Sequence, residues 1–287
     1  MTNLLITGSE GYIGSEISQH FIKKGFKIIG ITKNKTYSKS SSLEYINYNG
    51  NFKNLKKIFQ KFQIDCVFHL ASNQKIDINE EIIEDMISSN ISFGIHLLEA
   101  MLTSNCRKFV NVETFWQYNE DSTYRPMNFY AASKQAFSDF LKWYSLDMGI
   151  NAISLKLFDT YGPNDKRMKI FNILKQSRDK ERDVDMTKGE QILYPVHLKD
   201  IIKGFEITYN LLSKKADYKN PIFSLYSDPI TLYDLVNKWI AISPKKIKVN
   251  WGAIPYRKSQ IMNPYLGDKL PGWKATVDVS KGLLDTI

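Results

Sequence analysis

The strongest constraint on how this 287-residue chain can fold is a regular alternation of short apolar runs with amphipathic stretches of helical spacing. An apolar run at 4–7 is followed by Ile13, Ile17, Phe21 and Ile22 at helical intervals, then by KIIGIT at 27–32, which reads as strand, helix, strand. Beyond a Ser- and Lys-rich stretch at 33–42 come a short YINY strand, a helix carrying Leu55, Ile58, Phe59 and Phe62, and a buried strand over 66–72. A helix over 80–102, a strand at 108–112, a helix over 129–146 and a strand at 152–158 continue the pattern. Helices lying between strands make each connection a crossover, so the prediction is a doubly wound, parallel α/β domain. After Gly162-Pro163 the rhythm breaks into shorter pieces, including a short strand near 192–196. The expected division is a main domain over 1–163 and a smaller lobe over 164–287 that returns some elements to the main sheet. The cleft between them is the expected ligand site.

Composition narrows the class. With 43% hydrophobic and 13% aromatic residues, only 15 Gly and 9 Pro, the chain is neither disordered nor collagen-like. No apolar run approaches the roughly 20 residues of a membrane-spanning helix, and the N-terminus lacks the signature of a secretory signal. The two cysteines, Cys66 and Cys106, do not read as a disulfide framework, so a reducing cytoplasm is expected. The net charge of +9 is spread over the chain in short lysine pairs, which argues against nucleic acid as partner and is compatible with attraction of small polyanions.

The first strand runs directly into Thr7-Gly8-Ser9-Glu10-Gly11-Tyr12-Ile13-Gly14 and a helix. Gly8 suits a tight turn, Gly11 lets backbone approach a pyrophosphate, and Gly14 permits close packing of helix on strand, with the helix N-terminus facing the phosphates. The second strand ends Gly30-Ile31-Thr32-Lys33. An acid for an adenosine ribose 2′-hydroxyl is absent there, whereas Thr32 can hydrogen-bond a 2′-phosphate and Lys33 can neutralise one. This favours NADP(H) over NAD(H); Glu10, near the same end of the cofactor, argues the other way.

Tyr130 and Lys134 stand four residues apart at the start of a helix, hence on one face. A nearby ammonium stabilises phenolate, which makes Tyr130 a proton donor suited to a carbonyl under reduction.

Together the glycine loop and the Tyr130–Lys134 pair resemble the extended short-chain dehydrogenase/reductase family, the Rossmann-fold nucleotide-sugar epimerases, dehydratases and reductases. The resemblance runs from Leu4 to about Leu284. It implies further roles. Ser9, Tyr12 and Ile13 join the glycines at the cofactor; Asn51, in Gly50-Asn51-Phe52-Lys53-Asn54, stands where the family has an adenine-contacting acid. His69-Leu70-Ala71-Ser72 matches the strand end behind the cofactor, with Leu70 and Ala71 on the cofactor, Ser72 toward substrate and His69 a packed strand histidine. Asn90-Ile91 with Gly94 matches the following helix. Thr114 falls at the family's catalytic hydroxyl, next to Phe115 and Trp116 on the substrate side. Phe115 and Trp116 occupy the places where the family's 4,6-dehydratases carry acids, and neither can transfer a proton, so dehydration is not expected.

Stretches around Gly189-Glu190-Gln191-Ile192, Gly252-Ala253-Ile254, Arg257 and Gly272-Trp273-Lys274 look like the bacterial CDP-abequose and CDP-paratose synthases. The implied activity is NADPH-dependent reduction of a 4-keto deoxy sugar nucleotide, toward a deoxy or dideoxy sugar of surface polysaccharide such as lipopolysaccharide O-antigen. A 4-epimerase with tightly bound NAD is the nearest alternative, and a non-catalytic NADP-binding regulator is the alternative of another class. Asp159 replaces the family's Asn near the sugar diphosphate, which leaves Arg257 as the diphosphate clamp, with Lys169 or Arg167 as helpers. No metal site is expected. A homodimer is expected through the long helix before the 108–112 strand and the tyrosine-bearing helix, with Phe137, Phe140 and Tyr144 as candidate seam residues.

Overall fold

The computed structural model describes residues 2–33, 40–48, 50–214 and 216–287, so part of the Ser- and Lys-rich stretch, residues 34–39, lies outside the described residues. The alternation produces β1 (Asn3–Thr7), α1 (Tyr12–Lys23), β2 (Lys27–Thr32), β3 (Leu43–Asn47), α2 (Phe52–Phe62) and β4 (Cys66–His69). It continues through α3 (Glu80–Ile87), a π-helical turn at Ser88–Ser92, α4 (Phe93–Leu102), β5 (Lys108–Thr114), α5 (Phe129–Asp147) and β6 (Asn151–Leu157). The remainder supplies β7 (Thr160–Tyr161), α6 (Ile170–Asp179), β8 (Val184–Met186), β9 (Ile192–Leu193), β10 (Val196–His197) and α7 (Leu198–Leu212). Last come β11 (Lys219–Leu225), β12 (Ile230–Thr231), α8 (Leu232–Ile242), β13 (Val249–Trp251) and the short α9 (Val279–Gly282).

Seven parallel strands form one sheet in the order β11-β6-β5-β4-β1-β2-β3, the doubly wound arrangement the sequence predicts. The chain winds outward to β3, returns to β4 beside β1, and winds the other way. The direction therefore reverses between β1 and β4, where a crevice opens at the carboxyl ends of the strands.

Alternate strand residues feed opposite faces, and each face buries its own core. On one, Val67 and Phe109 meet Leu97, Phe137 and Leu141 from α4 and α5; on the other, Phe68 and Val110 meet Phe21 from α1 and Phe205 from α7. A third core, around Trp239, Leu235, Phe171 and Met186, gathers residues that follow β6, Tyr161 among them. Each such side chain contributes about 1.5–3 kcal/mol on burial.

Several local expectations need correction. The strand at 66–72 ends at His69, because Leu70 and Ala71 leave the sheet to pass the glycine turn. The long helix is interrupted at Ser88–Ser92, where Asn90 turns inward to bond with the 70–73 loop and α5. The strand near 192–196 is two separate two-residue strands, one pairing with β12 and the other with β7. Cys66 and Cys106 are both buried free thiols. Phe137 and Tyr144 point into the core, Phe137 against Gly94 and Tyr144 donating to Glu99 at 2.6 Å, so neither is a surface residue. No helix of the described residues is long and apolar enough to cross a membrane.

Candidate active site

The loops at the carboxyl ends of β1, β2, β4, β5 and β6 converge on the crevice. Gly8 has φ +67°, and a Cβ there would stand 2.8 Å from the Ala71 backbone nitrogen. A Cβ on Gly14 would come within 2.2 Å of the Gly8 carbonyl oxygen, so α1 can start only over a glycine. Gly11, the N-cap of α1, donates its N–H to the Gly8 carbonyl at 2.9 Å. These close approaches build the backbone cradle that a pyrophosphate occupies at a helix N-terminus. The 70–72 segment is pinned beside it: the Thr7 hydroxyl accepts from the Ala71 N–H at 3.0 Å. The same hydroxyl shares a 2.9 Å hydrogen bond with His69 Nδ1. Burial among Phe93, Phe109 and Phe137, with the Lys134 ammonium nearby, pushes the His69 pKa down to about 3.

Other predicted cofactor residues have distinct placements. Ser9 is fully buried, its hydroxyl turned against Gly30 of β2. Ile13 packs on the α1–α7 face of the sheet. The Tyr12 ring lies beneath the Arg167 guanidinium, 4.4 Å from carbon to ring centroid. The Thr32 hydroxyl donates to Glu10, and Lys33 Nζ reaches Asp85 at 3.0 Å and the Ser89 hydroxyl at 2.9 Å. Asn51 is the N-cap of α2, its side chain accepting from the Lys53 N–H at 2.9 Å.

Tyr130 and Lys134 lie on the inner face of α5, 7% and 2% exposed. Burial raises the Tyr130 pKa to about 12; a hydrogen bond from Ser72 opposes the rise, and the charge of Glu113 adds to it. Burial lowers the Lys134 pKa, and Glu113 opposes that shift. Thr114 ends β5 and caps a 3-10 turn at Phe115–Gln117, its hydroxyl accepting from the Trp116 N–H at 3.4 Å. The Trp116 and Tyr130 rings meet edge to face at 6.3 Å, so Ser72, Trp116, Tyr130 and Lys134 come together.

On the other side of the cleft the wall is aromatic. Phe115 stacks on Phe158 at 5.2 Å and 4°, and Phe158 meets Tyr194 and Tyr226 at 5.8 and 6.0 Å. Asp159 spends its carboxylate on the Tyr194 N–H at 3.3 Å, and burial raises its pKa against the pull of Lys169. Arg167 is committed to Asp165 through Nε and a terminal nitrogen, whereas Arg257 is exposed on the irregular 252–268 segment. Sequence reasoning missed Phe158, Tyr194 and Tyr226, which lie in the separate connections that follow β6, β9 and β11, and the buried charges Glu113 and Lys156. The last two carry a legible signal: each stands two residues after another polar residue, Asn111 or Ser154, on one face of a strand whose other face is apolar.

The described residues fit a nicotinamide dinucleotide, on the evidence of the side-chain-free cradle at Gly8 and Gly14 and the buried phenol and amine beside it. Comparison with known proteins agrees. The chain is 26% identical over 265 residues to CDP-abequose synthase of Yersinia pseudotuberculosis, covering 91% of each protein. It is 25% identical over 316 residues to UDP-glucuronate 4-epimerase of Thermodesulfobacterium geofontis, covering 99% of this chain and 94% of that one. The crystal structure of UDP-glucuronic acid 4-epimerase from Bacillus cereus with UDP-glucuronic acid and NAD superposes with a TM-score of 0.86 at 20% identity, covering 99% and 98% of the two chains, a likeness of fold. Residues 4–218, three quarters of the sequence, match the NAD dependent epimerase/dehydratase family, and the chain belongs to that family.

Proposed function

We propose that this protein is an NADPH-dependent 4-ketoreductase of a deoxy sugar nucleotide. The observation that carries the reading is the buried Tyr130–Lys134 pair at the mouth of the glycine cradle, facing an aromatic wall where the dehydratases' acids would stand. The glycine loop backbone holds the dinucleotide's phosphates, Leu70 and Ala71 flank it, and Asn51 is assigned to the adenine side. Lys33 takes the 2′-phosphate: its pair with Asp85 joins side chains 65% and 47% exposed, and such a pair is worth about 0–1 kcal/mol, so it rearranges cheaply. A nicotinamide dinucleotide, when bound, supplies the hydride that reduces the ketone. Thr114 and Ser72 hydrogen-bond the sugar's keto oxygen, and Tyr130 gives that oxygen its hydroxyl proton. The Lys134 charge offsets the burial that otherwise makes the phenol a poor acid. Phe115 and Trp116, with Phe158 buried behind Phe115, offer the sugar ring apolar faces, which suits a ring that has lost hydroxyls, and Arg257 is the assigned diphosphate clamp.

The relative named CDP-abequose synthase supports this reading. The test is NADPH oxidation against a panel of 4-keto sugar nucleotides differing in nucleobase and deoxygenation. At least one deoxy or dideoxy substrate should be turned over, and consumption of none of them would overturn the reading.

A second reading, a 4-epimerase with retained NAD, is favoured by one observation: Glu10, held by Thr32 at the end of β2, puts a carboxylate near the adenosine ribose, where it suits a 2′-hydroxyl. Protein that purifies with bound NAD and interconverts sugars without added cofactor would establish it. We also propose a homodimer through the outer faces of α4 and α5. Phe140 and Trp143, 46% and 49% exposed, line an open groove of about 420 Å³ with Ile95 there.

A further inference from the structure

Beneath the proposed tyrosine and lysine lies a charged cluster that the reaction as described does not use. Glu113 on β5 and Lys156 on β6 are register partners in the parallel ladder, so their side chains stand side by side on one face of the sheet. That face is the one α5 covers: Phe109, four residues before Glu113, meets Phe137, one turn after Lys134, with ring centroids 6.2 Å apart. Ser138, one turn after Lys134 and on the same face of α5, lies beside the Glu113 carboxylate, which brings Lys134 over Glu113. Glu113, Lys134 and Lys156 are 1%, 2% and 3% exposed.

Neutral groups surround the Glu113 carboxylate: the Asn111 amide donates to one oxygen at 2.7 Å, and the Ser138 hydroxyl and Gln117 amide lie beside it. Lys156 Nζ is held between two rings, 4.9 Å from the Tyr118 centroid and 4.8 Å from that of Tyr265. A buried cation without a counter-charge gives up its proton, and an ordinary β5 residue at 113 would leave two ammonium groups facing each other.

We propose that Glu113 is the buried counter-charge of this site, a positioning residue that keeps the Lys134 ammonium protonated beside Tyr130, with Lys156 completing a cation–anion–cation row under α5. The titratable groups around the row are Tyr130 and Asp139 from α5, His69 from β4, Tyr118 after β5, and Tyr265 and Asp268 from the 252–268 segment. His69 is neutral at working pH, so it adds no third cation to the row. Burial brings the Lys156 pKa down to about 8, with Glu113 and Asp268 opposing, and raises that of Glu113 against the pull of Lys134. Both shifts are the cost of burying the row, and each is reduced by the opposite charge beside it.

The inference rests on the reading that Lys134 serves Tyr130, so its test is built to separate the two. Trace acetylation of the whole protein with limiting acetic anhydride across a pH series, followed by mass spectrometry of the Lys134 peptide, reads the Lys134 midpoint without any substrate. Glu113→Gln should move that midpoint down by about one pH unit or more, Lys156→Met should move it up, and Glu113→Asp should restore the parental value. A purely structural disturbance changes the amount of label without moving the midpoint in opposite directions. In ketone reduction the alkaline limb of kcat/KM should follow, moving to lower pH in Glu113→Gln, because Lys134 and Tyr130 both lose a neighbouring anion that favoured their protonated forms. An unmoved midpoint, or a uniform fall in rate with the limb in place, overturns the proposal. A parent protein that reduces no keto sugar overturns the functional reading instead and leaves the labelling result standing.

Discussion

Tyr130 sits in a poor place for an acid, since the burial that shelters its hydroxyl also raises its pKa to about 12. In the proposed reaction, the Lys134 ammonium must hold the phenolate that burial disfavours. Under the proposed assignment, Lys33→Ala weakens NADPH binding at least about tenfold while leaving NADH nearly unchanged, as measured by cofactor titration; an equal loss for both would remove Lys33 from the 2′-phosphate. His69 supplies a pH prediction of known sign. Its folded pKa, about 3, lies below the ordinary 6.5, so the unfolded chain binds the extra proton and the stability this difference gives is lost as pH falls from 6.5 toward 3. His69→Gln should flatten the acid side of a stability-against-pH curve relative to the parent, whatever it does to stability at neutral pH.

At the scale of elements, the first β-α-β unit follows from local rules. Gly14 is required because a Cβ at that position meets backbone, not a movable side chain. Gly14→Ala should therefore cost about 1–3 kcal/mol in denaturant unfolding and weaken cofactor binding, because the cradle and the α1 start are the same structure. Periodicity made this unit, α5 and the parallel sheet legible in the sequence. It could not reveal the end of β4, which depends on Leu70 and Ala71 passing a glycine turn more than 60 residues earlier. Nor could it reveal the π-helical turn, within which Asn90 bonds to Asn73 and Ser133, two partners from distant segments. The apolar spacing of α5 also fails to separate Phe137, which meets Gly94, from Phe140, which faces outward; only the position of α4 decides between them.

At the level of the whole chain, the last segment is fastened onto α7 and the main sheet. Trp273 is 4% exposed in the main-domain core, and its indole N–H donates to the Asp200 carbonyl at 2.8 Å. The Asp200 carboxylate in turn accepts from the Thr276 N–H, the Thr276 hydroxyl and the Val277 N–H. Trp273→Ala should cost about 3–5 kcal/mol on unfolding, read as a shift in thermal midpoint. The proposed dimer is tested by Trp143→Asp, which should convert a dimer to a monomer in light scattering without loss of secondary structure; a monomeric parent would remove the dimer from the account.

Under the proposed assignment the Tyr130 hydroxyl delivers the proton to the ketone oxygen, and single-turnover oxidation of NADPH with a 4-keto sugar nucleotide reads that step. Tyr130→Phe should bind NADPH as the parent does and react about 10²–10⁴-fold more slowly. Equal NADPH affinity together with a near-parental rate in that variant would contradict the claim.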